Sequence, residues 1–203
     1  LMMVEQVSSK LSLIPTFFET TFLAAMVVTS MYQPKFLILE TGLGGRLDAT
    51  RCAPADLSIL TSITTEHTDI LGDNIYQIIK EKAAIARPGK ILIARKMPIS
   101  GYEEFVTQCA ANCAQQELNE TPLDTDCTFV EINDGLTVLD EACVIAREAF
   151  MALSIRVERL DEAKILVNWP ARLQQFHLPQ GHKIILDAAH NPTGLSRVKN
   201  QLI

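Results

Sequence analysis

What this chain of 203 residues lacks excludes several roles at the outset. Its five cysteines, Cys52, Cys109, Cys113, Cys127 and Cys143, form no C-x-x-C pair. An odd number without metal-ligand spacing points to buried free thiols in a reducing compartment rather than to disulfides or zinc. Cys109 and Cys113 lie four apart on an expected helix, but one ligand pair does not make a metal site. No basic run occurs, and 18 Lys and Arg against 24 Asp and Glu leave a net charge of −6, which disfavours a nucleic-acid surface. No apolar stretch is long enough to span a membrane: Phe17 to Tyr32 has 16 residues, carries Glu19, and reads as a core helix. Neither a signal-peptide cleavage site, an internal repeat nor a low-complexity segment stands out. The chain contains no G-x-x-x-x-G-K-[ST] phosphate loop, and G-x-G-x-x-G fails because Leu47 stands where the third glycine belongs.

What is present suits a packed α/β protein. Hydrophobic residues make up 48% and charged residues 21%, enough for a core and unlike a disordered chain. Thr16 and Glu19 have the spacing of a capping box and open a helix that runs to about Tyr32, where Pro34 breaks it. Strands are expected at Phe36–Glu40, Leu57–Ile63, Ile91–Ala94, Cys127–Ile132 and Lys183–Leu186. Helices are expected from Asp73 or Asn74 through Ala86, over Tyr102–Leu118 and over Leu139–Leu153, with a loop from Asn119 to Asp126. Thr64 to Asp69 and Arg87 to Lys90 read as polar turns. Strands alternating with helices predict a parallel sheet with helices on both faces. Trp169-Pro170-Ala171-Arg172 reads as a linker, and Lys183–Leu186 as the first strand of a second unit.

The stretch from Leu39 to Thr50, L-E-T-G-L-G-G-R-L-D-A-T, carries the most information. An apolar run delivers a carboxylate, Glu40, into a glycine-rich turn, which is how α/β proteins place functional groups at the carboxyl end of a sheet. Glu40, His67 and Lys82 all fall at or just beyond expected strand ends, where neighbouring strands share one crevice. A carboxylate with a neutral imidazole can hold a divalent cation; Mg2+ prefers oxygen, so the imidazole leaves Mn2+ open. Ordinary readings stand beside these: a solvated strand terminus for Glu40, a turn hydrogen bonder for His67, a helix-surface lysine for Lys82. Asp187 either binds a ribose hydroxyl or caps the helix after Pro192. Arg172 is a candidate phosphate ligand, because guanidinium forks match phosphate oxygens. His177 and His182 carry no usable pattern.

Six blocks resemble, in sequence, order and spacing, the folylpolyglutamate synthase/dihydrofolate synthase group of the Mur ligase superfamily. They are Phe17 to Thr21, Glu40 to Thr50, His67 to Gly72, Glu81 to Ala83, Pro170 to Gln174 and Asp187 to Pro192, and the resemblance runs from about Thr16 to Ile203. It implies a mostly parallel α/β central ATPase-like domain over residues 1–166. A linker and the start of a Rossmann-like glutamate-ligase domain would follow over 167–203. It implies an ATP-dependent carboxylate–amine ligase: ATP phosphorylates the carboxylate of dihydropteroate or a folate, and L-glutamate attacks the acyl phosphate to form an amide. ATP and Mg2+, or Mn2+, are the implied cofactors, with a monomeric parent in the cytoplasm and no nucleic-acid or membrane partner. Carried over by motif, Glu40 and His67 hold the metal and Lys82 is the lysine that becomes carbamylated, these three forming the catalytic set. Arg172, Asp187 and His190 face the nucleotide. Thr16, Phe18, Asp48 and Ala49 contact the pterin. A metal, an arginine and a lysine-derived anion are the parts phosphoryl transfer needs, since it rests on positioning and charge neutralisation.

Departures from the family pattern accompany the likeness. The phosphate loop expected before Thr16 is not among the first fifteen residues, and the segment after Leu166 is short for a whole domain. Glu66 replaces an Asp, Arg51 an Asn, and Ala171 a Gly. Gly135 to Ala142 stands where the family has G-x-H-Q-x-x-N-A, with Glu141 at the base-facing Asn. The first residue is Leu1 and the last, Ile203, falls within an expected helix. The expectation is therefore a fragment that is inactive alone. Two alternatives stay open: another Mur-type ligase with a muramyl or amino-acid substrate, and a degenerate, non-catalytic interaction domain.

Overall fold

The computed structural model describes residues 1–118, 126–133 and 135–202, and all of their side chains except those of 113–118. Its centre is a parallel sheet of three strands, β1 (Leu57–Leu60), β2 (Ile91–Arg95) and β3 (Cys127–Val130), in that order. Leu57 lies opposite Ile91, and Leu92 opposite Cys127. The middle strand is the apolar run Ile-Leu-Ile-Ala, the composition of a strand covered on both faces. Alternation along it assigns the two layers. Leu92 and Ala94 enter one cluster with Ile78, Ile79 and Val106, from helices that cover one face, α4 (Ile75–Ala83) and α5 (Tyr102–Leu118). Ile93 enters another with Val130 and with Ile145 of α6 (Val138–Ala152), on the opposite face. This is the expected α/β layering.

Local sequence explains the helix ends. Asn74 caps α4, accepting from the Tyr76 and Gln77 N–H groups at 3.1 Å each, while Gln77 reaches back to the Asn74 N–H. Thr137 and Asp140 form the same box at α6. Tyr102 is fully buried in the larger cluster, and burial pushes its hydroxyl up to about 12.

Flanking this unit are α1 (Met2–Lys10), α2 (Phe17–Tyr32), a short α3 (Thr68–Leu71) and α7 (Leu160–Leu166). An antiparallel pair, β4 (Gln174–His177) and β5 (Lys183–Leu186), and then α8 (Pro192–Leu202) follow. No helix is long and apolar enough to cross a membrane among the described residues.

Several expectations need correction. Phe36–Glu40 forms no regular element and pairs with no strand among the described residues, and Ile38 is 93% exposed. A strand needs a neighbour for its backbone donors and acceptors, and apolar composition alone does not supply one. The helix Phe17–Tyr32 forms with the expected capping box, but none of its residues is buried, so it is not a core helix. Lys183–Leu186 forms, yet it pairs with Gln174–His177, a strand with no period-two apolar signal. The turn after Ile63 winds into α3, and α1 and α7 had no sequence signal strong enough to assign. Residues 119–125 of the expected loop, and the Cys113 side chain, lie outside the described residues.

Candidate functional site

The glycine-rich stretch folds into a loop that lies on the carboxyl end of α4. Glycine is required at position 45 by close approach: a Cβ there would lie 2.8 Å from the Glu81 carbonyl oxygen and 2.9 Å from that of Lys82. At Gly42 a Cβ would lie 2.7 Å from the Phe18 ring. The Arg46 N–H donates to the Glu81 carbonyl at 3.0 Å, and its Nε to the Glu81 carboxylate at 2.8 Å. Arg51 Nε donates to the Ala84 carbonyl at 2.6 Å, and Arg87 donates to the Ile85, Thr50 and Ala53 carbonyls. Cations thus meet the unpaired carbonyls at the end of α4, where the helix dipole favours them. This gives Arg51 a structural task.

Asp48 holds the loop shut. One carboxylate oxygen accepts from the Gly42 and Leu43 N–H groups at 2.9 and 3.1 Å; the other accepts from the Thr50 N–H at 2.9 Å and the Thr50 hydroxyl at 2.6 Å. Burial works against ionisation, but the Thr50 hydroxyl and the three N–H groups outweigh it and hold Asp48 below its ordinary value.

Thr16, Phe18, Asp48 and Ala49, the residues matched to the pterin region, line one open cleft of about 270 Å³. Leu43, Arg46, Ile70, Leu71 and Glu81 share its walls. Thr16 caps α2, its Oγ accepting from the Glu19 N–H at 3.2 Å while the Glu19 carboxylate accepts from the Thr16 N–H at 2.7 Å. That N–H, and then the Thr16 hydroxyl, lower the Glu19 pKa. Sequence reasoning passed over Arg46 and Glu81 as wall residues, although both lie inside blocks it had singled out.

Glu40, His67 and Lys82 do not line this cleft. Glu40 ends the unpaired segment Phe36–Glu40 and is exposed. His67 is exposed at the start of α3 with a left-handed backbone, φ 52°, and makes no side-chain cap there. Lys82 is half-buried in the last turn of α4. Among the described residues no group of three or more His, Cys, Asp or Glu side chains is placed to hold a metal ion.

In the second unit Asp187 is a clamp. It accepts from the Leu173 N–H at 2.9 Å and the Ala189 N–H at 2.7 Å, joining the turn that carries Arg172 to the turn after β5. It does not cap α8; Asn191 does, accepting from the Gly194 N–H at 2.7 Å. Asn191 also donates to the Glu66 carboxylate at 2.8 Å, which brings this turn beside His67. His190 is exposed and its Nδ1 donates to the Ala188 carbonyl at 3.0 Å; Arg172 is exposed. A second tie joins the units: Glu141 pairs with Arg95 at 3.4 Å and with Arg197 of α8 at 2.5 Å. Neither tie has a sequence signal, because each joins residues far apart in the chain.

A three-layered α/β unit, with a glycine-rich loop closing a cleft over a helix end, is the class of fold that these elements define. Comparison with known proteins identifies the branch. No protein-family model matches the chain. The dihydrofolate synthase/folylpolyglutamate synthase of Buchnera aphidicola subsp. Schizaphis graminum is 32% identical over 191 residues, 87% of this chain and 44% of that protein. Among solved structures, Escherichia coli FolC in complex with DHPP and ADP matches 93% of this chain and 48% of its own, with a TM-score of 0.71 and 26% identity. The Yersinia pestis folylpolyglutamate synthase/dihydrofolate synthase complexed with AMPPNP and Mn matches 94% and 48%, with a TM-score of 0.70 and 27% identity. The chain belongs to the folylpolyglutamate synthase/dihydrofolate synthase group of the Mur ligase superfamily. It spans somewhat under half the length of these relatives.

Proposed function

We propose that the protein represented by this chain is an ATP-dependent ligase that joins glutamate to the carboxylate of dihydropteroate or a folate through an acyl phosphate. The observation that carries this is the convergence of Thr16, Phe18, Asp48 and Ala49 on one cleft, from sequence positions up to 33 apart, in a chain 32% identical to a synthase of that kind. In this reading Phe18 and the aliphatic walls stack on the flat pterin, and Thr16 and Ala49 shape the opening. Asp48 acts indirectly: its four accepted hydrogen bonds hold the loop in the shape that forms the cleft floor.

The donor set also suits a divalent cation. Glu40 and His67 are exposed and offer an oxygen and a nitrogen, and Mg2+ or Mn2+ is commonly held through few protein ligands with water and phosphate completing the shell. Such an ion would neutralise phosphate charge when bound. Lys82, if carbamylated, turns from cation to anion and adds to that donor set. Arg172 and His190 would reach the nucleotide, with Asp187 fixing the turn between them. The antiparallel β4–β5 pair, separate from the parallel sheet, supports a boundary near residue 166, with 1–166 as the central domain and 167–203 as linker and start of the glutamate-ligase domain. A cytoplasmic location accords with this chemistry.

One observation favours a second, non-catalytic reading. Glu141, at the position matched to a base-facing amide, is engaged by two arginines. The test is twofold. Dihydropteroate binding to the 203-residue chain, followed by calorimetry, should be weakened in Phe18→Ala. The whole protein should form radiolabelled dihydrofolate from glutamate, ATP and dihydropteroate, and Glu40→Ala and Lys82→Ala should abolish it. A chain that binds no pteroate would overturn the ligase reading.

A further inference from the structure

We propose that two copies of this chain pair through Lys35–Glu40, the segment of one running antiparallel to that of the other about a two-fold axis. These residues do not line the cleft, and their pairing does not depend on the ligase reading. Phe36-Leu37-Ile38-Leu39 is a continuous apolar run, the composition of a strand covered on both faces. It nevertheless pairs with no strand among the described residues, and Ile38 stands almost fully in solvent. Its backbone donors and acceptors have no ladder partner, the situation of an exposed sheet edge. Lys35 and Glu40 bracket the run, and both are exposed. The Lys35 ammonium lies 5.5 Å from the Phe36 ring centroid, which keeps that charge beside the run.

A segment that reads cation, four apolar residues, anion is complementary to its own reverse. With Lys35 of one copy facing Glu40 of the other, Phe36 faces Leu39 and Leu37 faces Ile38. The two-fold axis then repeats the ion pair at the far end. A shift of one residue sets Phe36 against Glu40, and parallel pairing sets Lys35 against Lys35, where like charges directly opposed destabilise the pair. The ladder is bounded on both sides. Pro34 has no N–H to donate, and the Gly42 and Leu43 N–H groups are already given to Asp48. A two-fold contact uses the same patch on each copy, so it closes as a dimer.

The neighbouring surface selects a second copy over other partners. From Leu11 to Pro34 the only charged residue is Glu19, and the α2 capping box holds its carboxylate. So neutral a surface gives a nucleic acid or a charged protein face nothing to recognise, yet it meets no repulsion from its own copy. Met31 and Tyr32, at the end of α2 beside the run, are exposed as well. Area suffices. The chain exposes 14,322 Å², against about 9,500 Å² for a compact chain of its mass, and a standard interface takes about 800 Å² from each partner.

The experiment is analytical ultracentrifugation of the 203-residue chain over a concentration series, in buffer free of divalent cations so that Glu40 stays available to its pair. Wild type should pass from a monomer of 22.5 kDa to a dimer, with no larger species. Ile38→Lys puts a charge at the apolar centre and should stay monomeric. Its melting at low concentration should match wild type, because Ile38 is exposed in the single chain. Lys35→Glu and Glu40→Lys each set like charges against one another at both ends and should weaken the dimer about tenfold or more. The double variant Lys35→Glu with Glu40→Lys restores both ion pairs and should return the wild-type affinity, which a merely sticky surface would not do. A dimer that Ile38→Lys leaves intact overturns the proposal, and so does a double variant as weak as the single ones. Open-ended assembly overturns the two-fold contact. A wild type that stays monomeric overturns the pairing, and if it then cosediments with phosphatidylcholine vesicles the flank belongs to a lipid surface.

Discussion

Residues 1–40 and residues 57–110 are both rich in apolar side chains, and the two stretches treat them in opposite ways. From the first stretch only Val4 is buried, while Ile14, Phe17 and Ile38 stand almost fully in solvent. The second supplies most of the buried core, with Ile78, Ile79, Leu92, Ile93 and Val106 fully enclosed. The difference is the sheet. Three hydrogen-bonded strands present two continuous apolar faces, and α4, α5 and α6 each have one to pack on. Helix α2 packs chiefly against the glycine-rich loop and α1 among the described residues. The chain exposes 14,322 Å² in all, whereas a compact chain of its mass exposes about 9,500 Å². Hydrophobic stabilisation is thus concentrated in the central unit, and the flanks are held by a few polar ties.

The comparison can be broken or sharpened by substitution. Leu92→Ala, at the centre of the larger cluster, should cost about 3 kcal/mol in urea unfolding, and Ile38→Ala less than about 0.5 kcal/mol. Equal losses would mean that the flank packs as tightly as the centre. Asp48→Ala should cost about 2 kcal/mol, because three N–H groups and a hydroxyl lose their acceptor, and it should weaken any cleft ligand in parallel. Unchanged melting would show that the loop keeps its shape without the clamp. Asn191→Ala should cost about 1 kcal/mol and act locally. Amide exchange in α8 should quicken while β2 stays protected; faster exchange in both would make the two units one cooperative body.

The smallest effect is a pH dependence. Lys164 first, and Thr137 second, hold Asp140 down at about 2, against an ordinary 3.8. A folded-state value below the unfolded one contributes stability above pH 3.8 that is lost as the pH falls through about 2. This pair ties α7 to the start of α6, so exchange in α7 should rise on acidification across that window, and Asp140→Asn should remove the pH step. An identical step in the variant would assign it to another carboxylate.

Much of the centre was legible because its signals are local. The apolar run Ile91–Ala94, the Asn74 and Thr16 caps and the alternation of strands with helices depend on neighbours within a few positions. The glycine-rich string and Asp48 were legible as a block, but their grouping with Thr16 and Phe18 was implied by the family resemblance alone, and the structure sets all of them on one cleft. Phe36–Glu40 shows the limit: it has strand composition but no paired neighbour, and pairing is a property of two segments.

By itself, then, the sequence determined the α/β class, the family and the order of its motif blocks, because periodicity, caps and motif order are written along the chain. Only the tertiary structure decided which carboxylates are free. Asp48 and Asp187 became clamps, Glu66 and Glu141 became ties between units, and Glu81 became the partner of Arg46. A carboxylate's role depends on which donors reach it in space, and those donors come from residues as much as 125 positions away.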